Sequence, residues 1–255
     1  MKKIKNILIT GGAGRIGKVI TDALLNENHK IIIGDITFKN INFRNDQFKN
    51  NLFKFKSDLT KEKNIQNFIK FGVKKFGSID VLIHCAYPKT KDWGKTLDKI
   101  NQKNLNKNIT DNLGSSIILS KYIIRQFLKQ KEGNLIFLSS IYGLASPRFE
   151  DYNKTDVFSP VEYGAIKSGI ISTIKFLAKY YKNKNLRINC ISPGGIKDNQ
   201  PNSFVKNYAK NCNSKGLLNA DDLSGLIKFL ISEESKYING QNIVVDDGWS
   251  LWRKI

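Results

Sequence analysis

Short β-rich runs alternate with longer helical patterns along almost the whole chain, and this order constrains the fold more than any other feature. The strand-like runs are 5–10, 30–35, 52–56, 80–84, 134–139, 186–191 and 242–245. Between them, 15–26 places Ile16, Val19, Ile20, Ala23 and Leu24 at helical spacing, and 61–76 places Ile65, Phe68, Ile69 and Val73 on one face. Helical patterns also cover 113–129, 161–181 and part of 220–231. A strand, a helix and a second strand in succession connect by a right-handed crossover, so the strands run parallel and are covered on both faces. The sequence therefore predicts an α/β, doubly wound Rossmann fold, a parallel seven-stranded sheet with helices on both faces. Its 255 residues suit a single domain, 1–255, with a cofactor half of about 1–135 and a catalytic and substrate half of about 136–255. The Asn-rich stretches 40–51 and 99–112 read as loops or solvated helices.

Several function classes are disfavoured at once. No apolar stretch approaches membrane-spanning length. Met1-Lys2-Lys3-Ile4-Lys5 looks like the start of a signal peptide, but the apolar run behind it is only Ile7-Leu8-Ile9 before Thr10-Gly11-Gly12. A first strand explains it better, and a cytoplasmic location is expected. Cys85, Cys190 and Cys212 are odd in number and far apart, and His29 and His84 are the only histidines, so neither a disulfide framework nor a metal site is expected. The formal charge of +20 raises the possibility of a nucleic-acid partner. The 36 lysines are spread along the whole chain, so the charge points to solubility and attraction of anionic substrates, with no nucleic acid and no membrane as partner.

The strongest local motif is Thr10-Gly11-Gly12-Ala13-Gly14-Arg15-Ile16-Gly17, which follows a strand and opens a helix. Glycines permit the tight turn and let the backbone approach a pyrophosphate, while the helix N-terminus offers free N–H groups. Asp35 ends the second strand, where a carboxylate can bond both ribose hydroxyls of an adenosine and repel a 2′-phosphate. That favours NAD(H) over NADP(H), although Arg15 and Lys39 argue the other way. Asp58 is either a helix N-terminal acid or an acceptor for the adenine amino group.

Tyr163 and Lys167 stand at i and i+4 on one helix face. A free tyrosine titrates too high to act as a base at neutral pH, and a nearby ammonium lowers it. The tyrosine can then exchange a proton with a substrate hydroxyl or carbonyl while hydride moves to or from a nicotinamide. Ser139-Ser140 ends the fifth strand, at the sheet edge where such folds bind ligands, and a hydroxyl there can polarise a substrate oxygen.

The TGxxxxxG turn, the strand-end Ser139-Ser140, the Tyr163–Lys167 pair, Asn189-Cys190-Ile191-Ser192-Pro193-Gly194 and the closing strand near 238–249 together resemble the short-chain dehydrogenase/reductase family over nearly the whole chain. That resemblance implies Tyr163 as general acid/base, Lys167 lowering its pKa and holding the nicotinamide ribose, Ser140 orienting substrate, and Asn112 anchoring a water relay. It further implies cofactor contacts from Gly11, Gly14, Arg15, Ile16, Gly17, Asp35, Asp58, Leu59, Ala86, Pro193, Gly194 and Ile196 beside Tyr163 and Lys167. Departures are visible. Arg15 stands at the family's central glycine, and Gly14 comes one place early. His84-Cys85-Ala86-Tyr87 replaces Asn-Asn-Ala-Gly, so Tyr87 is expected to wall the substrate site. Asp198 takes the place of a threonine after Pro193-Gly194. The interval from Ser140 to Tyr163 is longer than the family's, and the extra segment within 144–160 is expected to loop over the substrate pocket.

Within the family, 159–163, 192–201 and 235–240 resemble the subgroup of bacterial flagellin-modification protein A. The implied substrate is a sugar, sugar phosphate or activated sugar of surface-glycan, nonulosonic acid-type biosynthesis. Tyr87, Ser140, Arg148 and Tyr163 are the candidate substrate contacts; Lys89, Lys91 and Lys154 are additional phosphate candidates, and Trp93 and Tyr152 candidate stacking partners. Rival readings are a nucleotide-sugar epimerase or dehydratase, suggested by the glycine spacing, and a non-catalytic NAD(H) sensor. Helices 113–129 and 161–181 are expected to form a homodimer or homotetramer, since Ile117, Ile118, Leu119, Ile123 and Ile124 exceed one buried face.

Overall fold

The computed structural model describes residues 3–39, 41, 43, 50–153, 155 and 158–251. Seven strands form one parallel sheet: β1 Asn6–Thr10, β2 Lys30–Asp35, β3 Leu52–Lys56, β4 Val81–His84, β5 Gly133–Leu138, β6 Leu186–Pro193 and β7 Asn242–Val245. Their order is β3-β2-β1-β4-β5-β6-β7. The winding reverses at β1, which pairs with β2 on one side and β4 on the other, so a crevice opens at the carboxyl ends of β1 and β4.

The helices are α1 Arg15–Leu25, α2 Glu62–Phe76, α3 Gln102–Ile109, α4 Ser115–Gln130, α5 Val161–Tyr180, α6 Asn202–Ala209 and α7 Ser224–Ile231. Strand alternation sorts the apolar side chains into two layers. Leu8, Ile32, Leu82 and Leu135 pack with α2, α4 and α5, while Ile7, Ile9, Ile31, Ile33 and Ile83 pack with α1 and α7. This is the doubly wound arrangement that the alternation requires.

Helix α5 shows how packing overrides local preference. Its isoleucines and glycines are poor helix formers, each costing roughly 0.5–1 kcal/mol against alanine. Burial of Ile166, Ile170, Ile171 and Ile174 offsets this, at about 1.5–3 kcal/mol per side chain. Gly169 is needed for the contact, because a Cβ there would lie 2.7 Å from Leu113 Cδ2.

Of the two alternatives for the second Asn-rich stretch, loop or solvated helix, the structure takes the helix, and it adds one further helix. The segment 99–112 is largely helical: Asn101 caps α3 by accepting from the amides of Lys103 (3.0 Å) and Asn104 (3.3 Å), and a π-helical turn, Thr110–Gly114, leads directly into α4. Only Leu105 and Ile109 give α3 apolar character, so its periodicity is faint in the sequence. Helix α6 was not anticipated; it is held by Phe204 and Tyr208, buried one turn apart. The segment 144–160 contains a 3₁₀ turn, Phe149–Tyr152. Lys154 and most of 40–51 lie outside the described residues.

Candidate active site

The turn after β1 is shaped by contacts that admit no side chain. Gly11 has φ +64°, and a Cβ on it would lie 2.7 Å from the backbone of Ala86. A Cβ on Gly17 would lie 2.1 Å from the Gly11 carbonyl oxygen. The Gly11 amide donates to Gly34 O (2.8 Å) and the Gly14 amide to Gly11 O (3.0 Å), which fixes the loop against β2. Gly14 has no side chain to cap α1, so the first amides of that helix remain available to a ligand. A cleft of about 470 Å³ opens over this turn, lined also by Ile16, Asp35, Asp58, Leu59 and Ala86.

Asp35 reaches back into the turn. Its Oδ2 accepts from the Ala13 amide (3.0 Å) and its Oδ1 from Ile36 N (2.7 Å), so β2 and the glycine turn position its carboxylate together. Burial by itself raises the Asp58 carboxyl. Hydrogen bonds from the Thr60 amide (3.0 Å) and hydroxyl (2.8 Å), with Lys61 and Lys107 nearby, outweigh this and hold it below the usual carboxylate range. The cradle and the carboxylate at the end of β2 fit a dinucleotide.

At the other end of the crevice, Ser140 follows β5 and Tyr163 and Lys167 project from α5. The Ser140 hydroxyl bonds the Tyr163 phenol and accepts from Tyr142 N (3.2 Å). Lys167 Nζ donates to Leu138 O (2.9 Å) and lies 5.6 Å from the centre of the Tyr163 ring and 4.7 Å from that of Tyr87. Burial raises the Tyr163 phenol, with only the Ser140 hydrogen bond opposing it. Burial pushes the Lys167 ammonium down to about 8. Burial therefore dominates the Tyr163 phenol in this structure, while the Lys167 ammonium, bonded to Leu138 O, faces the Tyr163 and Tyr87 rings. Tyr87, Trp93 and Tyr142 surround the Tyr163 ring edge-on, at 5.1, 6.0 and 6.3 Å between centroids.

Asn112 sits in the π-helical turn. Its side chain donates to Pro88 O and Asn108 O, both at 2.9 Å, which ties the loop after β4 to the helix. Its carbonyl accepts the Ser116 hydroxyl (2.6 Å). Ser116 also contacts His84 Nε2 (3.1 Å), and His84 Nδ1 contacts the Thr10 hydroxyl (2.6 Å). Because Ser116 donates to Asn112, the network assigns the proton to Nε2, with Thr10 donating to Nδ1. Burial, helped by the charge of Lys167, drives His84 down to about 3, so the imidazole is neutral. The sequence shows His84 only as a departure from its family's pattern; the link it makes between the glycine turn and Asn112 comes from pairing β1 with β4.

A second cavity, of about 310 Å³, adjoins Tyr163 and Ser140 and is bounded by Pro193, Gly194 and Ile196. Its walls are aromatic, with Trp93, Tyr142, Tyr152, Phe158, Phe204 and Tyr208 among them. Trp93 and Tyr152 were expected, whereas Tyr142, Phe158, Phe204 and Tyr208 come from the long loop and α6 and carry no motif. Arg148 is placed elsewhere. Its guanidinium donates to Asn211 Oδ1 (2.5 Å) and Trp249 O (3.1 Å) and stacks 5.1 Å from the Trp249 ring, so it pins the segment after β7 and lines neither cavity. Arg15 pairs with Asp198 at the junction of the two cavities.

The reversed parallel sheet, the glycine cradle and the Ser140–Tyr163–Lys167 cluster define a nucleotide-binding oxidoreductase architecture. A family model described as enoyl-(acyl carrier protein) reductase matches residues 11–250. The chain is 38% identical to post-translational flagellin modification protein A of Campylobacter coli, over 98% of this chain and 100% of that protein. It is 30% identical to 7alpha-hydroxysteroid dehydrogenase of Bacteroides fragilis, over 97% and 95% respectively. A short-chain dehydrogenase structure from Leptospira borgpetersenii with bound NAD+ superimposes with a TM-score of 0.88 at 29% identity, covering 98% of this chain and 94% of that one. The chain belongs to the short-chain dehydrogenase/reductase family of oxidoreductases.

Proposed function

We propose that this chain is an NAD(H)-dependent oxidoreductase that interconverts a secondary alcohol and a ketone on a sugar derivative of surface-glycan, nonulosonic acid-type biosynthesis. The observation that carries the reading is the convergence of Ser140, Tyr163 and Lys167 where the dinucleotide cleft meets the aromatic cavity. Asp35, fixed to the turn, supports NAD(H) over NADP(H). The similarity to a flagellin modification protein supports a glycan substrate, and the aromatic walls offer faces for a sugar ring.

Bound NAD(H) supplies the hydride acceptor or donor. Ser140 orients the substrate oxygen, and Tyr163 gives it a proton in reduction and takes one in oxidation. Lys167 holds the ribose side of the cleft and keeps positive charge below the phenol. Asn112 and His84 fix the loop and turn that flank them. The chain acts as one domain in the cytoplasm; among the described residues no helix is long and apolar enough to cross a membrane.

Exposed apolar side chains on α4 (Ile117, Leu128) and α5 (Val161, Phe176, Tyr180) support a homodimer or homotetramer built on these helices. Sedimentation equilibrium checks this, and a monomer at micromolar concentration rejects it. The function is tested by thermal stability against NAD, NADH, NADP and NADPH, followed by sugars and sugar phosphates with the best dinucleotide. NAD or NADH stabilisation with a further shift from a sugar is the expected result. No shift with any dinucleotide rejects the reading.

A further inference from the structure

Two cations and one carboxylate meet where the two cavities join. Arg15, the first residue of α1, lines both cavities, as does Trp93. The Arg15 guanidinium pairs with Asp198 from the loop after β6, and both side chains remain nearly half exposed, at 49% and 41%. Lys89, in the loop after β4, lines the dinucleotide cleft and places its ammonium 3.7 Å from the centre of the Trp93 ring. That cation–π contact holds the charge at the junction. Burial lowers Lys89 from its usual range, the charge of Arg15 lowers it further, and Asp198 partly offsets both. The three groups therefore share one electrostatic neighbourhood, reached from the start of α1 and from two separate loops.

The local charge does not balance. Arg15 and Lys89 contribute two positive charges and Asp198 one negative. Among the described residues, Lys89 has no carboxylate within ion-pair distance. The other acids of the cleft are committed, Asp35 to the amides of Ala13 and Ile36, Asp58 to Thr60, and Asp111 to Lys107 and Lys61. The remaining cation of the site, Lys167, is buried beneath the tyrosines and bonded to Leu138 O. An exposed ion pair such as Arg15–Asp198 is worth little in water and exchanges readily. A planar guanidinium beside an ammonium matches a group with several anionic oxygens better than a single aspartate does. Both members of the pair also stand where the sequence departs from its family's pattern.

We propose that Arg15 and Lys89 form a seat for an anionic group of the substrate, a phosphate or carboxylate borne by the sugar derivative, and that Asp198 occupies Arg15 until that group displaces it. This rests on the functional reading above and narrows it from sugar derivatives in general to charged ones. Asp198 is then a competitor within the site, so its removal tightens anion binding. A merely structural pair predicts the opposite sign.

The test uses the full chain saturated with NADH, at constant ionic strength. Glucose, glucose 6-phosphate, glucuronate and inorganic phosphate are titrated, with thermal stability and tryptophan fluorescence as readouts. Wild type is expected to bind the charged probes and to show no shift with glucose. The phosphate and carboxylate arms tell which anion the seat prefers. K89Q and R15Q are each expected to weaken the better probe at least tenfold. D198N is expected to tighten it several-fold and to bind NADH within about threefold of wild type. The proposal is overturned if glucose binds as well as glucose 6-phosphate or if D198N weakens the anion. It is also overturned if phosphate acts only by competing with NADH, because Arg15 would then serve the cofactor pyrophosphate. No NADH binding by wild type is a different failure, which removes the functional reading and the seat together.

Discussion

The dinucleotide cleft and the aromatic cavity meet at Tyr163 but are built in different ways. The cleft is made mainly of backbone. Gly11 and Gly17 leave no room for a Cβ, the first amides of α1 are uncapped, and Asp35 is tied to the turn by Ala13 N. The cavity is made of side chains brought from the loop after β5, the start of α5 and α6. A backbone cradle is specified by a few adjacent residues and tolerates little change. A side-chain cavity is specified by residues far apart and is free to change shape while the fold stays the same. The two regions should therefore respond differently to substitution.

The largest effect is expected where they touch. Tyr163→Phe should reduce turnover by about 10²–10⁴-fold, the usual contribution of a positioned acid/base, while NADH binding stays within a few-fold. Steady-state rates and a thermal shift with NADH check both halves, and full activity would remove Tyr163 from the mechanism. Gly17→Ala probes the cradle. With a Cβ 2.1 Å from Gly11 O, the turn must move, and a stability loss of about 1–3 kcal/mol together with loss of dinucleotide stabilisation is expected. Unchanged NADH binding in a folded G17A protein would show that the cradle is less rigid than its contacts indicate.

Asp35→Ala should weaken NAD against NADP by roughly tenfold or more, since hydrogen bonds to a charged group contribute about 1.5–3 kcal/mol. Parallel titrations of the two dinucleotides measure the ratio, and an unchanged ratio means that Asp35 serves only the turn.

Lys167→Met separates stability from activity. The folded pKa of Lys167, about 8, lies below its ordinary value of 10.5, so the unfolded chain binds more protons between those limits. The buried ammonium thus lowers stability below pH 8, and this penalty fades as pH rises towards 10.5. K167M is expected to be inactive yet more stable than wild type at pH 7, by about 1–3 kcal/mol, with the gain shrinking above pH 8. Melting curves at several pH values decide this; a variant less stable at every pH would mean that the bond to Leu138 O outweighs the burial penalty.

The smallest effect belongs to Arg148, whose bonds to Asn211 and Trp249 hold the end of the chain. Arg148→Ala should lower stability by about 1–2 kcal/mol with little change in substrate KM. A raised KM at unchanged stability would return Arg148 to the substrate site.

The strands were legible because buried parallel strands are short, continuous apolar runs such as Ile7-Leu8-Ile9 and Ile31-Ile32-Ile33. The glycine turn and Asp35 were legible because each depends on residues close in sequence and on a fixed strand-to-helix context. Helix α3 was less so, because its start is set by one Asn101 cap and its apolar positions are few. Arg148 was assigned to the substrate site from its place in the long loop, whereas the direction of its side chain depends on Trp249, about a hundred residues away.

The sequence alone thus determined the layer architecture, the phosphate cradle and the Tyr163–Lys167 pairing, because each follows from periodicity or from spacing within a single turn or helix. Only the tertiary structure decided that His84 joins Thr10 to Ser116, that Tyr142, Phe204 and Tyr208 share one cavity, and that Arg15 meets Asp198. Those contacts depend on which strands lie side by side and where the loops after them converge, and no local pattern of residues encodes a distance across the sheet.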